Sequence, residues 1–411
     1  MSFIARLESD AVVSRRLLAA VLGVVVLFSA NDVRLYAQTL TVLHAFDLTD
    51  GDYPNDGLFR DSLGNLYGTT AYGGKSRFGT IFELDKAGKF TELYEFKGTP
   101  NDGAYPNGGL ISDAAGNFYG TTSQGGATNA GTIFVLNLRT GKENVLYSFV
   151  ADSSDGMWPY TGLTWDASGN LYGVASTGGL DAGGIVFKFD SPGTFHVIHN
   201  FSGNLTDGLY PYGVLLLLNG KLYGTTSFGG TSNLGTIFAL DQSRESILFN
   251  FSGAAGEFPY AGLVVDAAGN FYGTTQFGGD LACNAPSSGC GTVFKLDADG
   301  DQTVLYSFQG SPDGDDAVSG LVLDDSGNLY GATAYGGTGR CQSTSTGCGT
   351  LFKVDQSGDE TVLFNFTGGA DGKFPFGTLV RDSVGNLYGS ATQGGKDCGN
   401  DGCGTIFELT P

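Results

Sequence analysis

The sequence predicts an all-β chain folded as a seven-bladed β-propeller of four-stranded antiparallel blades, and three observations carry that prediction. A tight turn running into Leu/Phe-Tyr-Gly occurs seven times, with its tyrosines at Tyr67, Tyr119, Tyr172, Tyr223, Tyr272, Tyr330 and Tyr388. Their spacings of 49 to 58 residues fit propeller blades and exceed most solenoid repeats. Each copy holds four strand-like pieces, and the two chain ends are cut inside a unit so that each completes the other.

The first piece follows Gly-Leu, as at residues 263–266, and the second is Asn-Leu/Phe-Tyr-Gly-Thr-Thr. The third is of the Gly-Thr-Ile/Val-Phe type, with Phe82, Phe134, Phe187, Phe238, Phe294, Phe352 and Phe407. The fourth is of the Thr-Val-Leu-Tyr-Ser-Phe type, rich in the β-branched and aromatic residues that strands favour. After residue 40 no stretch sustains an apolar period of 3.6. Asp-x-x-Gly-Asn joins the first piece to the second, as at 61–65 and 266–270, with Asn219-Gly220 instead in the fourth copy. Asp-x-x-Gly joins the third to the fourth, as at 85–88, 297–300 and 355–358. Both are hairpin signals, because Asp caps its own backbone and Gly accepts positive φ. The longest regular link then crosses to the next unit, which puts the Gly-Leu strand innermost and the Val-Leu-Tyr strand outermost. The chain opens on an outermost strand (40–46) and stops after a third strand (404–409). Pairing the two completes the last blade and removes an exposed sheet edge.

Composition agrees with one large domain over 38–411: 41% hydrophobic and 12% aromatic residues suffice for a core. The 68 glycines fall at fixed offsets in the repeat rather than in low-complexity runs. Residues 1–37 read as a secretory signal peptide. Arg15 and Arg16 precede an apolar run from 17 to 28, and small residues at Ala30 and Ala37 offer cleavage sites. That run is shorter than the roughly 20 residues a bilayer span needs, and a retained membrane anchor is the alternative. No later segment is apolar enough to span a membrane.

All six cysteines lie in the loops between second and third strands of the last three units. The repeat predicts local disulfides, Cys283 with Cys290, Cys341 with Cys348 and Cys398 with Cys403, as suits an oxidising compartment. Zinc is disfavoured there, since the spacings are long and no histidine lies nearby. Removing 1–37 takes away four basic and three acidic side chains and leaves 17 against 39, a net charge of −22. Such a surface repels nucleic acid and anionic headgroups. Secreted, periplasmic or cell-surface residence, as a monomer, is the expectation.

Taken together, Gly-Asn-Leu-Tyr-Gly-Thr-Thr, the Gly-Gly loop, Gly-Thr-Ile/Val-Phe-Lys-Leu, Thr-Val-Leu-Tyr-Ser-Phe and Asp-Gly-x-x-Pro resemble the bacterial choice-of-anchor tandem repeat family, the GloVer-type repeats. The resemblance covers residues 40–411. It implies exported repeat proteins of no assigned activity, often with a variable C-terminal surface anchor. This chain departs there, ending at Pro411 without a sorting signal, which weakens the expectation of surface attachment.

The crossing loops hold Asp-Gly, an aromatic residue and Pro: Asp50 with Tyr53, Asp102 with Tyr105, Asp155 with Trp158, Asp207 with Tyr210, and Asp371 with Phe374. As a ring of carboxylates and aromatic faces they are the candidate ligand site, suited to a glycan. The competing explanation is what every blade needs: Asp-Gly turning the chain, aromatic and Pro wedged between sheets. Function in a repeat ring should favour positions where one unit breaks the pattern. The sixth crossing loop, Asp313-Gly314-Asp315-Asp316, offers oxygen ligands for Ca²⁺ through Asp313, Asp315 and Asp316 but lacks the spacing of a calcium loop. Unit three holds both tryptophans, Trp158 and Trp165, and the fifth loop reads Ala255-Gly256-Glu257.

Signals of catalysis are few. His44, His196 and His199 all fall on predicted outermost strands, and no nucleophile elbow, phosphate-cradling loop or His-rich metal pattern occurs. Carboxylate pairs of the glycosidase kind follow from abundance alone. No cofactor is called for. The reading is an exported, non-enzymatic binding or adhesion scaffold for an extracellular glycan or protein. A purely structural protein and a polysaccharide-active hydrolase or lyase are the alternatives.

Overall fold

The computed structural model describes residues 38–411 except 152–153, 192, 205, 284–287, 342–346, 397 and 399–400. The signal peptide read from residues 1–37 lies outside the described residues.

Seven four-stranded antiparallel sheets follow one another in the order the repeat predicts. Blade one runs, from the axis outward, Phe59–Arg60, Leu66–Thr70, Thr80–Leu84 and Phe90–Glu95. The next five blades repeat this order, beginning at Ile111–Ser112, Thr164–Trp165, Leu216–Leu218, Val264–Val265 and Val322–Leu323. Blade seven takes Val380–Arg381, Leu387–Ala391 and Thr405–Thr410 from the C-terminal end and its outermost strand, Thr39–Ala45, from the N-terminal end. The register places Thr39 opposite Thr410 and Val42 opposite Phe407, so the ring is closed by its own termini as expected. The innermost strands are shorter than the four residues read from the sequence. In blade five Asp266 belongs instead to the turn, where its N–H donates to the Asn270 carbonyl at 3.0 Å.

The tyrosine phrase that marks each unit is a turn device. In blade two Asp113 Oδ1 accepts from the Ala115 and Asn117 N–H groups, while Oδ2 accepts from Asn117 Nδ2 and, at 3.1 Å, from Tyr119 Oη. Tyr67, Tyr172, Tyr272, Tyr330 and Tyr388 reach their own turn aspartates in the same way. Tyr223 has no such aspartate, because the two-residue Asn219-Gly220 turn leaves no place for one.

Between blades the core is built of phenylalanine. Each third-strand Phe, from Phe82 to Phe407, is fully buried, and so is the Phe that follows each outermost strand. The outer Phe of one blade meets the third-strand Phe of the next edge to face: Phe96 with Phe134 at 5.2 Å, Phe201 with Phe238 at 5.1 Å, Phe366 with Phe407 at 5.3 Å. Phe46 with Phe82 at 5.3 Å makes the same contact across the closure. The second-strand glycine makes room for these rings: a Cβ on Gly120 would sit 2.7 Å from the Phe134 ring. In every blade a bulge between third and outermost strands, as at Ile133/Phe134, adds local twist.

Candidate functional site

On one face of the ring the short hairpins gather; on the other, the crossing loops meet the loops that follow the second strands. In all seven units these two loops pair. Three pairs are two-residue ribbons, such as Gly103–Ala104 with Gln124–Gly125, and four are single bridges, such as Asp52 with Tyr72.

The five candidate aspartates accept hydrogen bonds from this frame. Asp102 Oδ2 accepts from Tyr94 Oη and Lys97 N, both at 2.8 Å, and Oδ1 accepts from Gly103 N at 2.7 Å. Asp207 accepts from Ser202 N and Oγ, both at 2.6 Å, and from Gly208 N at 2.7 Å. Asp155 accepts from Tyr147 Oη. Asp371 accepts from Thr367 N at 2.7 Å, and Asp50 accepts from Asp47 N at 2.8 Å. Each bends its loop back onto the end of the outermost strand before it.

The aromatic partners share a rarer property. Tyr53, Tyr105, Trp158, Tyr210 and Phe374, with Phe258 and Asp316 at the equivalent positions, all have φ between 55° and 64°. A non-glycine residue in this left-handed region costs about 1–2 kcal/mol. The strain holds a staple between blades. Tyr105 donates its N–H to Phe78 of the preceding unit at 2.8 Å, and its carbonyl accepts from Ser123 at 3.0 Å. The other six residues make the same two bonds, Tyr53 to Cys403 and Ala71 across the closure. The following proline presses on the glycine that opens the neighbouring third strand: a Cβ on Gly131 would meet Pro159 Cδ at 2.7 Å. Rings at these positions contact rings of the loops after the second strands of the preceding unit, as in Tyr105 with Tyr72 at 5.2 Å and Phe258 with Phe228 at 4.6 Å.

The pattern-breaking residues are placed apart. Asp313, Asp315 and Asp316 do not gather their oxygens within 4.8 Å of one another. Asp313 accepts from Tyr306 Oη, Gln309 N and Gly314 N. Asp316 takes the staple position, and burial pushes its carboxyl up to about 7, against an opposing hydrogen bond from Gln276. Trp158 stands on the loop face. Trp165 lines a groove on the hairpin face with Asp113, Tyr119 and Gly169; its ring lies 5.9 Å from that of Tyr119.

Sequence reasoning missed the residue after each proline. These six, Asn55, Asn107, Tyr160, Tyr212, Tyr260 and Phe376, together with Val318, which follows Ala317 at the equivalent place in the sixth unit, surround the mouth of the central channel, a funnel of about 450 Å³. That size is within the roughly 300–1,000 Å³ of small-molecule sites. Below it a cavity of about 340 Å³ is lined by the inner leucines from Leu58 to Leu379. The funnel is two-sided. Blades three, four and five give an aromatic wall, with Tyr160 and Tyr212 centroids 6.1 Å apart and Tyr212 and Tyr260 5.1 Å apart; burial raises all three phenols above their ordinary range. Blades one and two give Asn55, Asn107 and Asp56. Asn107 Nδ2 is held by the Tyr105 carbonyl at 3.1 Å and by Ser123 Oγ at 2.9 Å.

Asp56 is the one carboxylate in the funnel lining, and it borders the lower cavity as well. It keeps part of its surface toward the channel, yet the enclosing walls desolvate it and push its carboxyl up to about 6. Two N–H donors oppose that shift: Oδ1 accepts from Gly57 N at 2.6 Å, and Oδ2 from Gly109 N of the next blade. A signal for the funnel did exist in the sequence. Within the near-constant Asp-Gly-x-aromatic-Pro frame the next residue changes from amide to phenol to aliphatic, and one unit alone follows it with a carboxylate.

The Gloeobacter/Verrucomicrobia repeat model matches residues 25–238, 165–341 and 210–411. No curated protein matches the chain. Among solved structures it is similar to virginiamycin B lyase from Staphylococcus aureus, with 13% identity and a TM-score of 0.57 over 91% of this chain and 99% of that one. It is also similar to oligogalacturonate lyase from Vibrio parahaemolyticus, with 11% identity and a TM-score of 0.56 over 90% and 93%. At these identities the likeness is one of fold.

Proposed function

The chain belongs to the Gloeobacter/Verrucomicrobia repeat family, and from that premise we propose that it is an exported, non-enzymatic scaffold that binds a neutral extracellular glycan in the loop-face funnel. The division of the funnel into a tyrosine wall and an amide side carries this reading. Aromatic faces take the apolar face of a pyranose, and Asn55, Asn107 and Asp56 face its hydroxyls. The acidic surface, net −21 for the whole chain, disfavours polyuronates and other anionic chains. Hydrolysis by paired carboxylates needs two acids flanking one bond, and the funnel lining holds one. Export is supported by three disulfides. Among the described residues no helix is long and apolar enough to cross a membrane.

A glycan array probed with oxidised 38–411 tests the proposal. Binding to a set of neutral glycans is expected, with loss of up to about tenfold for Tyr212→Ala, since an aromatic contact contributes up to about 1.5 kcal/mol beyond area burial and about 1.4 kcal/mol is tenfold. Background signal across the array would refute it. Release of reducing ends or unsaturated products from polysaccharides would favour the hydrolase or lyase reading instead.

A further inference from the structure

At the outer circumference each blade meets the next through a side chain near the end of one outermost strand and a side chain at the start of the following one. Two junctions place a phenol between two acids. Tyr94 Oη donates to Asp102 at 2.8 Å and lies 3.5 Å from Glu143; Tyr306 Oη donates to Asp313 at 2.9 Å, with Glu360 nearby. In each the phenol donates to the aspartate, while Glu143 Oε1 and Glu360 Oε1 are buried without a partner.

Between blades three and four the tyrosine is replaced by His199, and the cluster changes character. Nε2 of His199 lies 3.6 Å from Asp207 Oδ1 and 3.7 Å from Glu245 Oε1. Neither distance is a hydrogen bond. Both His199 Nε2 and Glu245 Oε1 are buried atoms without a hydrogen-bond partner. Two such atoms facing each other beside a second carboxylate are costly unless a cation joins them. Among the described residues this is the one group of three His, Cys, Asp or Glu side chains whose ligand atoms all lie within 4.8 Å.

We propose that His199, Asp207 and Glu245 form a binding site for a first-row divalent metal ion of the zinc type, clamping blade three to blade four. Bonds of about 2.0–2.2 Å in a tetrahedral site set ligand atoms about 3.4 Å apart, close to the two distances seen. An imidazole nitrogen with two carboxylates selects zinc-like ions over Ca²⁺ and Mg²⁺, which prefer oxygen alone. Three protein ligands leave a fourth position to water. The supporting contacts are those that orient metal ligands. Asp207 is pinned by Ser202 N, Ser202 Oγ and Gly208 N, and the His199 ring packs edge-on against Phe201 at 4.6 Å. The other histidines lack this set. His44 pairs with Asp50 and stacks on Phe90 at 4.0 Å, while His196 pairs with Asp190 alone on the exposed strand face.

Isothermal titration of chelator-treated, oxidised 38–411 with zinc chloride tests the site. One equivalent is expected to bind, together with a rise in melting temperature. His199→Tyr installs the residue that Tyr94, Tyr147 and Tyr306 supply at other junctions and so preserves the fold; it should weaken zinc binding by about 10–100-fold or more, as should Glu245→Gln. His196→Gln should bind as the parent does. No saturable binding up to millimolar zinc would overturn the proposal. Undiminished binding by His199→Tyr, or equal affinity for Ca²⁺, would overturn it as well.

Discussion

If the ring is closed by the N-terminal strand, Phe46 must be as costly to remove as its counterparts in the middle of the chain. Phe46 is fully buried and meets Phe82 at 5.3 Å and Phe90 at 5.8 Å. Phe251, in an interior blade, is equally buried and meets Phe294 at 5.2 Å. Truncating a buried phenylalanine to alanine costs about 3–5 kcal/mol, the lost transfer free energy plus the cavity left behind. Each variant also loses an edge-to-face contact of about 0.5–1.5 kcal/mol beyond area burial. Phe46→Ala and Phe251→Ala should therefore shift the urea unfolding of oxidised 38–411 to lower midpoints by similar amounts. The two sites differ in one respect that sharpens the comparison. Phe251 is held by continuous chain on both sides, whereas Phe46 follows a terminal strand that is free to fray unless its pairing with Thr405–Thr410 is strong. A terminal strand that merely lies on the last blade would release Phe46 before global unfolding. The cost of Phe46→Ala would then fall below about 1 kcal/mol, and that result would refute closure as a source of stability.

Acidification should stabilise the rim. Burial raises the carboxyls of Glu143 and Glu360 from the ordinary 4.5 to about 7, so the folded state holds protons that the unfolded state has released; stability from this source is present below pH 4.5 and lost as pH rises through 7. Glu143→Gln with Glu360→Gln should flatten that slope and raise the stability at pH 8 by roughly 1–2 kcal/mol per site, after allowing for screening of partly exposed groups; an unchanged pH profile of the urea midpoint would contradict it. The disulfides close loops with sequence separations of 7, 7 and 5 residues, each contributing about 2 kcal/mol. Reduction should therefore lower the urea midpoint and expose the late loops to proteolysis first, whereas cleavage beginning in blades one to three would argue against local stabilisation.

The architecture was legible because every unit obeys the same local rules. Turn aspartate, positive-φ glycine, β-branched strand and buried phenylalanine recur at fixed offsets, and antiparallel neighbours need nothing beyond that repetition. Strand ends moved by about one residue where a residue such as Asp266 serves the turn rather than the ladder. Recurrence is also what gives Asp-Gly-x-aromatic-Pro the look of a ligand ring. A side chain repeated around the ring is what an inter-blade staple demands, and the structure places those aspartates and left-handed aromatics in the frame of the loop face. The position after the proline varies, so it is marked only by its departure from the repeat. The same holds for His199: on a strand it reads as one more rim polar residue, and its neighbours Asp207 and Glu245 come together across two blades.

The staple accounts for this division of labour. With seven residues at φ near 60° each tied to two blades, the backbone entering the funnel is set before the next side chain is chosen. The residue two positions on lies outside the strand ladders, so it can change from Asn107 to Tyr160 to Val318 without disturbing its blade. A ring built this way separates stability, which resides in the invariant positions, from the lining of the funnel, which the varied ones supply. Asp56 shows the limit of that freedom. Its carboxylate takes an N–H from its own blade and one from the next, so the sole funnel acid is also a tie between blades one and two. The residue that most differentiates the funnel is thus positioned by the bonds that fix the backbone around it.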